Sequence, residues 1–434
     1  MASVEMNYGK FLERKRRRHR PSGFNTGSLS RYLYPFQRHI VEWALHLGRA
    51  AIFADCGLGK TLMQLDWARA VNEHTGRPVL ILAPLAVSKQ TEREGVHFDI
   101  PASVVRDGTV KPISITNYEM LHHFSATDYS GVVLDESSIL KSYSGKMRNQ
   151  IIDTFANTPF KLACTATPSP NDYMELGNHA EFLGVMTRTA MLATFFNHDG
   201  GETSKWKLKG HAVGPFWEWM ASWSVMLRKP SDLGYSDAGY DLPTLRRHIH
   251  TIETEAQTGY LFPVEAFDLS ERRESRKVSI EDRVSRCAAM VNPSKDQWII
   301  WGDLNAETEA AADSIIGAVE VAGSHPDKHK EDSMLAFSDG GIRVLVSKPK
   351  IAGWGMNWQN CHNIVFLGLS DSFESMYQAE RRCWRFGQRH DVDVHIYVSD
   401  RDAGVIRNIE RKRLQAEEMA EQMMEAMKQH HGDR

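Results

Sequence analysis

The chain has 434 residues, 42% apolar and 25% charged, ordinary proportions for a soluble globular protein with material for two to three domains. Its formal net charge of -3 means that any nucleic-acid partner is held by local basic surface and not by the charge of the whole molecule. Five scattered cysteines without a CxxC pair argue against a zinc site or a disulfide frame, no apolar run approaches the roughly 18 to 20 residues of a membrane span, and the N-terminus has no apolar secretory segment, so a reduced, cytosolic protein is expected.

Residues 1–30 are polar and include the run Lys10 to Arg20, with seven Lys or Arg against one Glu. Such a block repels itself, and it reads either as a phosphate-gripping arm or as a solvated tail. From Tyr34 the pattern changes to an amphipathic helix with Pro35 in its first turn. Gln37 on this helix carries an amide that both donates and accepts, as reading an adenine edge requires.

The stretch around which the chain is organised follows: Ala54-Asp55-Cys56-Gly57-Leu58-Gly59-Lys60-Thr61, after the apolar run Ala50 to Phe53 and before a helical pattern from Leu62 to Val71. Strand, glycine-rich loop and helix make the setting of a phosphate-binding loop, although Ala54 stands where the common form has Gly. Gly57 and Gly59 let the backbone approach a polyphosphate around Leu58, and the following helix turns its positive end to the same charge. Lys60 would reach the outer phosphates, and the Thr61 hydroxyl would hold magnesium.

Short β-rich segments then alternate with helical ones: Val79 to Ala83, Ile113 to Thr116, Gly131 to Leu134 and Phe160 to Cys164, as a parallel sheet with crossover helices requires. The third segment runs into Asp135-Glu136, where such a sheet puts catalytic groups; Asp135 suits the magnesium ion and Glu136 the attacking water. Residues 185–240 break the alternation, and Trp206, Trp217, Trp219 and Trp223 read there as core or interface sooner than as a base-stacking platform. A second alternating series follows Asp241, with strand candidates Gln297 to Trp301, Val319 to Ala322, Ile342 to Ser347, Asn363 to Leu367 and Val392 to Val398. It ends in Gln378 to Gln388, where Arg382 and Arg385 would share one helix face and suit bidentate contact with a γ-phosphate. The closing charged helix, Val405 to Gln429, offers Met and Ala residues that could pack on the second lobe.

Together these motifs resemble a superfamily-two helicase-type ATPase, closest to the SWI/SNF-like translocase branch and related to the DEAD/DEAH-box proteins. The resemblance spans roughly residues 31–400. Ala83 to Ser88 and Ile115 to Leu121 resemble motifs Ia and Ib, Thr165-Ala166-Thr167-Pro168 the coupling motif III, Gly353-x-Gly355-x-Asn357 motif V, and Gln378 to Gln388 motif VI. It implies an α/β fold of two RecA-like lobes, with ATP and magnesium in the cleft between them and DNA, duplex favoured over single-stranded, across their top. Gln37 then takes the adenine-reading role, Gly355 and Asn357 belong to the nucleotide site, and Arg385 is the arginine finger supported by Arg382.

The implied division is a basic arm (1–30), a first lobe (31–184), an insertion or bridge (185–240), a second lobe (241–400) and a C-terminal helix (401–434). Ser137-Ser138 departs from the family's Ala-His or Ala-Asp, and Arg381 stands where Gly is frequent. The compact chain fits a bacterial or phage DNA-processing enzyme better than a nucleosome remodeller. A P-loop phosphotransferase and a DNA-binding or clamp-like protein that uses ATP only as a structural ligand are the competing readings.

Overall fold

The computed structural model describes residues 19–142, 145–199, 202–253, 277–352 and 356–432. The protein divides into two compact units, one running to Asp237 and taking in the residues from Ala416 onward, the other Ala238–Gln415. Among the described residues no helix is long and apolar enough to cross a membrane.

In the first unit α1 (Pro35–Leu47) leads into β1 (Arg49–Ala54), then α2 (Lys60–Thr75), β2 (Val79–Ala83), α3 (Leu85–His97), β3 (Ser103–Val104), β4 (Ile113–Asn117), β5 (Gly131–Asp135), α4 (Lys146–Thr154), β6 (Phe160–Cys164) and α5 (Leu176–Leu183). Next come α6 (Arg188–Phe195), the antiparallel pair β7 (Phe196–Asp199) and β8 (Glu202–Leu208), α7 (Val213–Ala221) and β9 (Ser224–Leu227). The sheet is parallel throughout, in the order β3-β4-β2-β5-β6-β1-β9. Every residue of β2 and β4 is buried; β2 is an unbroken apolar run, because helices cover a parallel sheet and neither face needs polar alternation, whereas β4 buries Ser114, Thr116 and Asn117 beside its two isoleucines.

The stretch expected as an insertion or bridge supplies the seventh strand of this sheet, with β9 paired to β1 from Ala51↔Ser224 to Ala54↔Leu227. Three of its four tryptophans are core, Trp217, Trp219 and Trp223 being buried with Phe195 and Phe216 and most of these rings meeting edge to face, while Trp206 is half-buried.

The second unit holds β10 (Leu245–Ile252), α8 (Ile280–Val291), β11 (Trp298–Trp301), α9 (Asn305–Ser314), β12 (Ala318–Val321), α10 (Asp327–Ser338), β13 (Val344–Ser347), α11 (Pro349–Ala352), β14 (Asn363–Phe366), α12 (Phe373–Glu380) and β15 (Val392–Ser399). Its parallel sheet has the order β10-β15-β14-β11-β13-β12. The last helix, α13 (Ala403–Gly432), was expected to pack on this half, but from Ala416 its residues belong to the first unit. There Met419, Met423 and Met427 are buried, and the Met226 N–H donates to Met427 Sδ at 3.3 Å.

One polar group is built into the second core. Arg283 on α8 donates to Glu307 on α9 at 2.7 Å, both side chains being 1% exposed, while the other Glu307 oxygen accepts the N–H groups of Asp303 and Leu304 at 2.7 and 2.9 Å. The glutamate therefore caps its own helix and ties it to α8. Removing one partner strands a buried charge, so Arg283→Ala is expected to lower the unfolding free energy by about 3 kcal/mol, read as a shift of the urea midpoint. A shift worth less than about 1 kcal/mol would mean that Glu307 is held by the two N–H groups alone.

Candidate nucleotide site

The three strands β1, β6 and β5 lie side by side, with Ile52↔Cys164 and Asp135↔Cys164 in register, so the loop after β1 and the Asp135-Glu136 turn flank the tip of β6. Carboxyl ends of neighbouring parallel strands are where such sheets bind ligands.

Gly57 and Gly59 have φ of 89° and 75°, a region that side chains disfavour. A Cβ on Gly59 would also lie 2.3 Å from the Gln37 amide nitrogen. That amide donates to the Leu58 carbonyl at 2.9 Å, and the Gln37 oxygen accepts the Tyr34 N–H at 2.9 Å. Gln37 is thus 2% exposed and braces the loop. A pocket of about 480 Å³ opens beside it, lined by Leu33, Pro35, Arg38, His39, Glu42 and Tyr235. The Lys60 ammonium rests on the Ala54 and Asp55 carbonyls at 2.7 and 3.2 Å, and Thr61 is half-buried in the first turn of α2.

Asp135 is positioned twice. Gln64, one turn beyond Lys60 on α2, donates to its Oδ1 at 2.9 Å, and the Tyr118 hydroxyl donates to its carbonyl at 2.7 Å. Burial, followed by the charges of Asp135 and Glu136, holds the Tyr118 pKa well above its ordinary value, so the hydroxyl stays a donor. Gln64 does not stand out in the sequence, and Tyr118 does so only as part of the stretch Ile115 to Leu121. The spacing Lys60-x-x-x-Gln64, which puts both on one helix face, is the signal that could have found the first.

Glu136 has φ 60° and ψ 58°, left-handed backbone that only one other non-glycine residue, Asp99, shares among the described residues. Its Oε1 accepts the hydroxyls of Thr165 at 2.5 Å and Ser138 at 3.1 Å, and the Thr165 hydroxyl in turn accepts the Thr167 N–H at 3.0 Å. The Thr165-Ala166-Thr167 stretch is therefore wired to the Glu136 carboxylate, and Ser138 adds a second hydroxyl where the resemblance has a larger residue.

In the second unit the expected arginine face does not form. Helix α12 ends at Glu380, and Arg382 and Arg385 lie in the turns beyond it. There the Arg382 and Cys383 N–H groups bond three residues back, to Ala379 and Glu380, and the Trp384 indole donates to the Pro243 carbonyl at 2.7 Å. Long-range anchoring thus overrides a helical pattern that continues in the sequence. Arg382, 7% exposed, turns inward and donates to the carbonyls of Gln378 and Met356 at 3.0 and 3.3 Å. It holds the backbone next to Asn357, while Asn357 and Arg385 are half-buried. Gly355 and its neighbours Gly353 and Trp354 lie outside the described residues, as does most of the Lys10 to Arg20 run.

Residues 285–387 match the helicase conserved C-terminal domain. The helicase SWR1 of Debaryomyces hansenii is 28% identical over 177 residues, 35% of this chain and 11% of that protein. A chromodomain-helicase-DNA-binding protein 3 homolog of Caenorhabditis elegans is 26% identical over 196 residues, with the same two shares. The chain is thus similar to helicases over part of its length. The helicase match runs from within α8 to Gly387 and so contains both Arg382 and Arg385. Its matches span about a tenth of the length of these curated helicase relatives, 11% in each case. Among solved structures, the Sulfolobus solfataricus SWI2/SNF2 ATPase core in complex with dsDNA aligns with a TM-score of 0.43 at 15% identity, over 86% of this chain and 88% of that one.

Proposed function

We propose that this chain is an ATP-dependent DNA translocase in which nucleic acid stimulates ATP hydrolysis. The observation that carries the reading is the Glu136 carboxylate, held in left-handed backbone by a hydroxyl from the Thr165 stretch, beside an Asp135 fixed by Gln64 from the helix that Lys60 begins. A carboxylate locked in direction beside a phosphate loop suits the orientation of a water for attack on a γ-phosphate.

In this reading the loop amides around Gly57, Leu58 and Gly59 receive the polyphosphate, and Lys60 leaves its two carbonyls for the outer phosphates. Gln37 braces the loop, and the pocket lined by Pro35, Arg38, His39 and Tyr235 takes the base. The Thr61 hydroxyl and the Asp135 carboxylate fit magnesium, which takes few protein oxygens and completes its shell with phosphate and water; among the described residues no cluster of three or more metal-ligating side chains competes for it. Bound there, magnesium neutralises charge that develops on the phosphates. Arg385 takes the arginine-finger role that the resemblance implies, Arg382 supports it by fixing the backbone at Met356, and Gly355 and Asn357 complete the set.

Duplex DNA is the partner proposed, on the family branch. ATP turnover measured without nucleic acid and with single-stranded DNA, duplex DNA and RNA tests the reading: duplex is expected to stimulate at least about tenfold and more than the others. Equal rates in all four would leave a phosphotransferase or a clamp-like ATP binder in its place. Displacement of a triplex strand, assayed beside fork unwinding, separates translocation from strand separation.

A further inference from the structure

The strained Glu136 has to be held from both sides, because a non-glycine residue in left-handed backbone costs on the order of 1–2 kcal/mol and persists only where its surroundings over-determine it. Thr165 and Ser138 hold its side chain. The backbone that follows is held by α5, a helix to which neither the sequence motifs nor the comparisons give a role.

His179 on α5 places Nε2 3.1 Å from the Ser137 hydroxyl, both residues being fully buried. Its neighbour Asn178 donates from Nδ2 to the carbonyls of Leu140 and Lys141 at 2.8 and 3.2 Å. The Phe53 ring of β1, edge to face with the imidazole at 5.3 Å, fixes the plane of the ring. Two adjacent side chains thus grip both ends of the turn that begins with Glu136, and one of them also packs on the strand that carries the phosphate loop. Burial pushes the His179 pKa down to about 4, against the raising influence of the Glu175 and Ser137 backbone, so the ring is a neutral hydrogen-bonding group at ordinary pH.

We infer that His179 is a positioning residue for ATP hydrolysis, which through Ser137, and with Asn178 beside it, keeps the Glu136 carboxylate aimed at the attacking water. This rests on the reading of Glu136 as the residue that orients that water. A buried histidine of merely structural use would change the stability of the unit and leave the kinetics of the folded protein alone.

The test compares His179→Leu, Ser137→Ala, the double variant and His179→Gln in the full chain, with Glu136→Gln alongside. The expected results are a fall of about tenfold in kcat for His179→Leu with KM for ATP within about twofold, a similar fall for Ser137→Ala, and no further fall in the double variant, because both remove one interaction. His179→Gln, which keeps a polar group near Nε2, is expected to recover most of the loss. Amide hydrogen exchange over 136–141, measured without nucleotide, is expected to quicken about tenfold in His179→Leu and Ser137→Ala. Wild-type kcat and exchange in a folded His179→Leu protein, or losses that multiply in the double variant, would overturn the inference. Should His179→Leu fail to fold, wild-type kcat in Ser137→Ala would overturn it equally. A Glu136→Gln protein that still hydrolyses ATP sinks the underlying reading instead, whereas an inactive one beside an unaltered His179→Leu sinks only the positioning role.

Discussion

Glu136→Gln is expected to lower steady-state ATP hydrolysis by about 10²- to 10⁴-fold, the range in which a positioned proton acceptor acts, while nucleotide affinity stays within about threefold. The amide has the size of the carboxylate, and its oxygen can still accept the hydroxyls of Thr165 and Ser138. The turn therefore keeps its shape, and what is lost is the power to polarise a water. Single-turnover hydrolysis with a fluorescent-nucleotide titration separates the two quantities. Hydrolysis within about fivefold of the wild type would remove Glu136 from the reaction and return the clamp-like reading to consideration.

Arg385→Ala is expected to cut turnover by about 10³- to 10⁵-fold, the range found for arginine fingers, with a much smaller change in nucleotide affinity. Arg382→Ala makes the informative comparison. Its guanidinium bonds only to main-chain carbonyls in the contacts described above, so its loss is expected to appear first as a lower melting temperature. If the two variants lost activity equally and both kept the wild-type melting temperature, Arg382 would belong with the reacting groups. A loss of less than about fivefold in Arg385→Ala would take that residue out of them.

The buried central strands of both sheets were legible as apolar runs, and Val79–Ala83 and Phe160–Cys164 were placed to the residue, whereas the short strands Ser103–Val104 and Ser224–Leu227 were not placed. The turn between β1 and α2 was legible because its signal is local, with glycine, lysine and threonine all within a few residues of one another. Strand β10 was not: as an edge strand it carries Arg246, Arg247, His248 and His250 between its apolar positions, and an exposed, charged segment does not read as sheet. The end of α12 was hidden for another reason. No Gly or Pro interrupts Gln378 to Phe386, whereas residues distant in sequence, the Pro243 and Met356 carbonyls and the Arg247 guanidinium on Glu380, hold the segment where the helix stops. Likewise Glu136 is held by Thr165, and a hydrogen bond between the ends of neighbouring strands leaves no periodicity along the chain.

The left-handed backbone at Glu136 bears on how this protein could be engineered. Glycine adopts that geometry without the penalty, so Glu136→Gly relieves about 1 kcal/mol of backbone strain but gives up the hydrogen bonds from Thr165 and Ser138 and removes the carboxylate in the same step. Any library meant to harden this protein should therefore hold position 136 constant, or screen for turnover and heat resistance together.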